Sequence, residues 1–189
     1  MNHISILVFL FLALLGCKKE TPASNGPDIP YFDFKIYSPG NQENGGARAT
    51  VFDKEWNASA QIIKCDTCRH FEIYFKTYSD EGYNRDQISF GPFDGKVGEY
   101  QVTNNHFDFN FDDFSVASKY NFWISDGDLL YGNYFIDTTY NSINKVIIDK
   151  NDGEVLEGRF SLVFTSNVVE HTDIPGRIYF ENGTFRVKL

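Results

Sequence analysis

The chain has 189 residues, 17% of them aromatic, and a formal net charge of −9 at pH 7. Its length is that of one domain with a single hydrophobic core. The acidic balance repels phosphate backbones, so nucleic acid is excluded as an expected partner.

The first residues form a short hydrophobic segment that ends at a cysteine. The apolar run 4–15 is too short for a membrane span, which needs about 20 residues, and fits the hydrophobic part of a signal peptide. Its end, Leu14-Leu15-Gly16-Cys17, resembles a lipobox, the site where bacterial lipoprotein precursors are acylated on cysteine and cut before it. We therefore expect residues 1–16 to be a signal peptide and Cys17 to carry the lipid.

The segment that follows has little capacity to fold. Residues 17–30 are rich in small and polar residues and contain Pro22, Pro27 and Pro30, a composition typical of a flexible tether. Two or three acyl chains, palmitate among them, hold such a protein firmly on a membrane. The predicted location is the outer membrane, with the domain either exposed at the cell surface or facing the periplasm.

Residues 31–189 show the period of two that is typical of half-buried β-strands. Apolar and polar residues alternate over 71–75, 107–111, 160–164, 178–180 and 185–189. Turn-forming residues separate the runs: Asn44-Gly45-Gly46, Asp94-Gly95, Asp126-Gly127, Asn151-Asp152-Gly153 and Asn182-Gly183. This pattern predicts a single all-β domain of roughly ten to twelve strands, an antiparallel β-sandwich or alternatively a β-barrel.

Cys65 and Cys68 lie between two predicted strands, residues 61–64 and 71–75. After export these thiols meet an oxidising compartment, so we expect a disulfide in the loop of a hairpin. Free thiols, a metal site that includes His70 and a redox-active pair remain open alternatives. A zinc site would need further ligands, and a redox pair would open a helix, whose periodicity does not follow Cys68.

The stretch 149–154 partly resembles a calcium-binding loop. An EF-hand loop has oxygen ligands at positions 1, 3 and 5 and glycine at position 6. Asp149 and Asn151 fit, but Gly153 falls at position 5, so a polar hairpin turn is the better prediction. Acidic residues of other predicted loops keep calcium open as a cofactor, and no other cofactor is predicted: Asp112, Asp113, Asp126 and Asp128.

Few side chains suit catalysis. His70, His106 and His171 are isolated from one another, and the sequence has neither a Gly-x-Ser-x-Gly elbow nor a glycine-rich phosphate loop. Glycoside hydrolysis needs two carboxylates at a defined separation, and the sequence selects no such pair. We predict that the protein is not an enzyme, and hydrolysis of envelope polymers is the remaining catalytic alternative.

Four aromatic residues in two adjacent predicted strands form a candidate binding surface: Tyr120, Trp123, Tyr131 and Tyr134. Exposed rings beside acids and amides can stack on sugar rings. The same rings could instead fill the core or cover the outer face of the sheet. Trp56, by contrast, fits a position in the core.

Three stretches carry turn glycines and core aromatics in a defined order. Residues 49–58 are similar to an opening hairpin of the form Ala-x-Val-x-Gly-x-x-Trp-x-Ala, with Asp53 at the glycine position. Residues 96–100 resemble a Lys-x-Gly-x-Tyr turn, and residues 156–160 with 182–187 resemble a closing pair of strands. Together they resemble a family of uncharacterised small β-rich lipoproteins of Bacteroidota over residues 46–189. The resemblance implies a β-sandwich on a lipid tether and assigns no activity or site residue.

The combined prediction is a lipid-anchored module of the outer membrane or cell surface that binds a ligand without catalysing a reaction. Its expected partners are the membrane, through the lipid on Cys17, and a glycan or an envelope protein. A carbohydrate- or calcium-dependent adhesion module is the first alternative function.

Overall fold

The computed structural model describes residues 37–64, 70–104, 115–124, 129–166 and 174–189. Ten strands make up this part of the chain: β1 (Gly45–Val51), β2 (Lys54–Lys64), β3 (Phe71–Tyr78), β4 (Asn84–Phe93), β5 (Gly98–Thr103), β6 (Ser115–Ile124), β7 (Leu129–Ile136), β8 (Lys145–Asn151), β9 (Val155–Ser166) and β10 (Arg177–Lys188). A 3-10 turn, Thr138–Tyr140, follows β7. Within the described ranges, no helix has the length and hydrophobicity needed to cross a membrane.

The sheet closes on itself as a nine-stranded barrel. Its strands follow the order β10-β1-β2-β3-β4-β6-β5-β8-β9, and β9 pairs with β10 to complete the ring. A ring with an odd number of strands cannot be antiparallel throughout, and here β5 and β6 form the parallel pair. The all-β prediction is therefore confirmed and its barrel alternative fits, whereas the sandwich is not confirmed.

Strand β7 completes one side of the barrel wall. It pairs with the second half of β6 and, at its own end, with the last residues of β9. At the other end of that wall, β5 and β8 together fill the space between β6 and β9. The ends of β5 and β8 thus meet the end of β7. The backbone groups at this junction cannot pair in a regular ladder and need other hydrogen-bond partners.

Asn144 provides those partners. Its buried side chain donates from Nδ2 to the carbonyl of Asp137 (2.9 Å) and accepts at Oδ1 from the backbone N–H of Val163 (2.7 Å). The carbonyl of Asn144 accepts from the N–H of Val102 (2.9 Å). One asparagine therefore connects the residue after β7 to β5 and β9, at the point where three strands end.

Aromatic side chains fill the barrel interior. The ring of Phe75 lies 5.2, 5.3 and 5.4 Å from the rings of Phe90, Phe160 and Phe185, centroid to centroid. Trp56 is 1% exposed, which confirms the core position predicted for it. The interior of the described barrel is thus a packed core, as in other small barrels whose interior is filled by side chains.

Two glycines allow the rings of this core to lie directly over the neighbouring strand. Gly158 on β9 is opposite Phe185 on β10, and Gly183 on β10 is opposite Phe160 on β9. A Cβ on Gly158 would lie 2.6 Å from the ring of Phe185, and a Cβ on Gly183 would lie 2.6 Å from the ring of Phe160. This reciprocal pairing of glycine and phenylalanine permits the strong local curvature that barrel closure requires.

The predicted opening hairpin is present. Strands β1 and β2 pair in register and are joined by Phe52 and Asp53, whose φ angles are 49° and 59°. Positive φ at both central residues is typical of a type I′ turn. Asp53 therefore has, at the position where the resembling hairpins have glycine, the backbone conformation that glycine readily adopts.

Asn182 and Gly183 do not form the hairpin turn expected from the sequence. Strand β10 runs through them without reversal, and its register with β9 shifts by one residue between Phe180 and Gly183. Asn182 does have the positive φ that the Asn-Gly pair indicated, at 53°. Because both neighbouring strands continue past this point, the extra residue makes a β-bulge, and the prediction of a chain reversal is wrong.

Replacing Asn144 with alanine is expected to destabilise the fold strongly. The change leaves the N–H of Val163 buried without a partner, while the carbonyl of Asp137 keeps only its hydrogen bond from the N–H of Tyr140. The expected cost is about 1–3 kcal/mol of unfolding free energy. Urea denaturation followed by tryptophan fluorescence measures this loss. Asn141→Ala, at an exposed position of the same loop, is the matched control and should stay within about 0.5 kcal/mol of the wild type. Equal effects of the two substitutions would contradict the role assigned to Asn144.

Candidate functional site

Three predicted site residues, Cys17, Cys65 and Cys68, lie outside the described residues. The strands that flank Cys65 and Cys68 do form the expected antiparallel hairpin, with Lys64 opposite Phe71. The disulfide itself stays a prediction, and so does the lipid on Cys17.

Tyr120 and Tyr134 face the barrel interior. Both are fully buried, with ring centroids 5.5 Å apart. The Tyr120 hydroxyl donates to Oδ1 of Asp86 (2.8 Å), and the Tyr134 hydroxyl donates to the carbonyl of Pro175 (3.0 Å). Directly opposite residues on paired strands share a face of the sheet, and here that face is the inner one. The structure thus corrects the expectation that these two rings form an exposed stacking surface.

Trp123 and Tyr131 are half-buried. Tyr131 packs against the core next to Phe122, with ring centroids 6.4 Å apart. The register of β6 with β7 shifts between Phe122 and Trp123, which makes Tyr131 the extra residue of a β-bulge on β7. The four aromatic residues singled out in the sequence therefore do not share one exposed face.

The stretch 149–154 forms the turn that the sequence predicted between β8 and β9. Oδ1 of Asp152 accepts the backbone N–H groups of Glu154 (3.0 Å) and Val155 (2.8 Å), which holds the turn. In the described part of the chain, no group of three or more His, Cys, Asp or Glu side chains could hold a metal ion. The acidic residues Asp112, Asp113, Asp126 and Asp128 lie outside it, so calcium stays a prediction.

Asp86 is a carboxyl group enclosed in the barrel interior. Only 1% of it is exposed, and its Oδ1 and Oδ2 accept hydrogen bonds from Tyr120 (2.8 Å) and Thr77 (2.9 Å). Burial raises the pKa of Asp86 to about 6, although the hydrogen bonds from Tyr120 and Thr77 act in the opposite direction. Because no ligand at the surface reaches this carboxyl, we assign it to the core.

Two adjoining hollows lie on the outside of the barrel. One, of about 590 Å³, covers β8, β9 and β10, and the other, of about 580 Å³, extends from β8 across β9 and β10 to β1 and β2. Arg159 and Thr184 line both. We name the combined surface the outer groove, and its principal residues are Arg48, Asn57, Asp149, Arg159, Thr184 and Arg186.

A row of residues across five strands forms the floor of the outer groove. Ile147, Arg159, Thr184, Arg48 and Asn57 are successive register partners on β8, β9, β10, β1 and β2. Neighbouring strands lie about 4.8 Å apart, so the row spans roughly 19 Å. Residues in register point to the same face of a sheet, so the outer groove offers a line of side chains to solvent that are polar except for Ile147.

A β-bulge on β8 positions Arg159. The register of β8 with β9 shifts between Ile148 and Lys150, which makes Asp149 the extra residue. Arg159 donates to the Asp149 carboxylate from Nε (2.9 Å) and from Nη2 (2.8 Å). These hydrogen bonds hold the pKa of Asp149 below its usual range, so the pair stays ionised and the plane of the guanidinium is set.

The other two arginines of the outer groove differ in their partners. Arg186 donates from Nε to Oε1 of Glu157 (3.0 Å). Arg48 donates from Nε to Oγ1 of Thr184 (3.1 Å) and has no carboxylate partner among the described residues. Its other guanidinium N–H groups have no acceptor in that part of the protein. Arg48 thus combines a fixed attachment with unused donors.

Sequence reasoning did not identify the outer groove. Arg48, Arg159 and Arg186 each stand in an ordinary alternating strand, and alternation places each of them on a polar face. Their proximity depends on β10 lying between β1 and β9, which is a property of the sheet order.

No family model matches the chain, and neither the curated proteins nor the solved structures compared with it include a match. The resemblance to Bacteroidota lipoproteins therefore stays a prediction. Function has to be argued from the N-terminal segment and from the outer groove.

Replacing Asp86 with asparagine is expected to change how stability depends on pH. Its pKa is higher in the folded protein than in the unfolded chain, so Asp86 favours folding most below about pH 4, and this contribution is lost as the pH rises through about 6. Asparagine keeps an acceptor for Tyr120 but does not titrate. Relative to Asp86→Asn, the wild type should gain about 2–3 kcal/mol of unfolding free energy between about pH 8 and pH 4.

Urea denaturation at a series of pH values measures this difference. Asp80→Asn, which makes the same chemical change at an exposed position, is the matched control. A stability difference between wild type and Asp86→Asn that does not vary with pH would contradict the burial of an ionisable Asp86.

Proposed function

We propose that the protein is a lipid-anchored, non-enzymatic module of the bacterial outer membrane that binds a ligand in the outer groove. The lipid on Cys17 holds the protein on the membrane, and residues 17–30 form the tether. The barrel then displays the outer groove to the surrounding layer of the envelope.

One observation carries the proposal: the charged side chains of the outer groove are held in place before any ligand arrives. Arg159 makes two hydrogen bonds to Asp149, Arg186 makes one to Glu157, and Arg48 makes one to Thr184. Exposed ion pairs add little to stability, so these contacts matter mainly for orientation. Side chains that are already oriented lose less conformational entropy when a ligand binds, which favours binding.

Binding without catalysis is supported by the state of the carboxylates. A glycosidase needs one carboxyl group of raised pKa and a second carboxylate across a cleft. In the outer groove, hydrogen bonds from Arg159 lower the pKa of Asp149, and Glu157 pairs with Arg186. Among the described residues, the carboxyl group of raised pKa is Asp86, which is enclosed in the core.

The lipid anchor is tested by replacing Cys17 with serine. We expect the wild-type protein to sediment with the outer membrane and Cys17→Ser to be lost from the outer-membrane fraction, because the acylated thiol is absent. Immunoblots of fractionated cells measure the distribution, and Cys68→Ser is the control that removes a different thiol. Equal membrane association of wild type and Cys17→Ser would contradict the anchor.

Ligand binding in the outer groove is tested by replacing Thr184 with tryptophan. The indole would fill the centre of the groove, where the two hollows meet. The detergent-solubilised lipoprotein is applied to an array of glycans, peptidoglycan fragments and peptides of the envelope. We expect Thr184→Trp to lower the affinity for whichever ligand class the wild type binds by at least about tenfold.

Gln87→Trp is the matched control for this experiment. Gln87 occupies the middle of β4, on the opposite side of the barrel from β10. Its substitution should leave binding unchanged. The assignment of the ligand to the outer groove would be wrong if both substitutions weakened binding equally, or if neither did.

A further inference from the structure

The outer groove carries an excess of positive charge although the whole chain is acidic. Four cationic side chains line it, and three of them pair with carboxylates: Arg159 with Asp149, Arg186 with Glu157 and Lys145 with Glu99 (2.6 Å). Arg48 has no carboxylate partner among the described residues, so one positive charge is left unbalanced. The chain as a whole has a net charge of −9. A local reversal of sign favours an anionic group on the ligand, because the rest of the surface repels anions.

Arg48 is the side chain that would take this anionic group. Asp149 and Glu157 already occupy Arg159 and Arg186, whereas Arg48 has no acidic partner among the described residues. Its contact with Thr184 uses Nε and leaves the Nη donors for a ligand. A guanidinium presents its donors as a planar fork, which matches the two oxygens of a carboxylate.

The side chains around Arg48 suit hydroxyl groups. Amide and hydroxyl side chains line the two hollows on either side of it: Gln42, Asn57, Ser161, Asn182 and Thr184. Such groups both donate and accept hydrogen bonds, as sugar hydroxyls do. Two of them, Asn57 and Thr184, belong to the row of register partners, which spans roughly 19 Å and is long enough for several linked sugar units.

The position of the outer groove argues against a peptide strand as the ligand. Peptides that join a sheet need an edge strand with unpaired backbone groups. Here β8, β9, β10 and β1 each have hydrogen-bonded neighbours on both sides. Recognition in the groove therefore relies on side chains alone.

We propose, building on the function proposed above, that the outer groove binds an acidic saccharide, with the guanidinium of Arg48 donating to the carboxylate of a uronic acid unit. Thr184, Asn57 and the other amide and hydroxyl side chains of the outer groove bond the hydroxyls of neighbouring sugar units. Arg159 and Arg186 keep their own carboxylates and line the binding surface beside Thr184.

The test compares two sugars that differ only in the acidic group. Short oligomers of galacturonic acid and of galactose are titrated calorimetrically into the detergent-solubilised lipoprotein. We expect the acidic oligomers to bind at least about tenfold more tightly, the increment of one good charge-assisted contact. Arg48→Gln should abolish this preference, and Arg48→Lys, which keeps the charge but loses the fork, should retain only part of it.

Lys119→Gln is the matched control because it removes one cation from β6, on the opposite side of the barrel from β1. It should leave the preference intact, and unchanged thermal unfolding of each variant shows that the fold is retained. The inference is overturned if galactose oligomers bind as tightly as galacturonic acid oligomers. It is also overturned if Lys119→Gln weakens binding as much as Arg48→Gln, or if a poly-glutamate peptide binds as tightly as the acidic sugar.

The outcome also separates this inference from the function it rests on. If galacturonic acid oligomers fail to bind while Thr184→Trp still removes another ligand of the array, the acidic saccharide is wrong and the binding module stands. If Thr184→Trp weakens the binding of no ligand, both the outer groove as a binding site and the acidic saccharide as its ligand are wrong.

Discussion

Closure of the sheet depends on the junction that Asn144 makes between strands that end against one another. A ring of nine strands needs one parallel pair, and β5 and β6 supply it. Along the same wall, β7 lies between β6 and β9 where β5 and β8 have ended. The backbone groups at the ends of these strands therefore have no ladder partners. The side-chain amide of Asn144 supplies hydrogen bonds at this point in place of the ladder. Buried backbone groups without partners destabilise the folded state, so these hydrogen bonds are needed there.

Side chains fill the described interior of the barrel, which leaves its outer face as the surface accessible to other molecules. Phenylalanine rings meet at the centre, and Gly158 and Gly183 let two of them lie against the opposite strand. Even the buried carboxyl of Asp86 is enclosed by Tyr120 and Thr77. With the described interior occupied by side chains, the proposed ligand would bind on the outside, where departures from the regular sheet shape the surface.

Two β-bulges supply those departures. The bulge on β8 brings Asp149 to Arg159, and the bulge on β10 inserts Asn182 beside the first hollow. A bulge re-aims one side chain and increases the local twist, so a flat face becomes uneven at a defined place. The outer groove is thus a consequence of the same irregularities that allow β8, β9 and β10 to bend around the core.

The hairpin at Asp53 was predicted from the resemblance of residues 49–58 to an opening hairpin, and Trp56 within that stretch was assigned to the core. Alternation and turn residues by themselves determined the all-β class of the fold, because they depend on neighbours in the chain. They did not separate a bulge from a turn at Asn182, since both need positive φ. Nor did they show that the rings of Tyr120 and Tyr134 point inward, because alternation defines two faces without saying which one is enclosed. The row from Ile147 to Asn57 was decided by the tertiary structure alone: its members come from five strands, and only the order and register of a closed sheet make them neighbours.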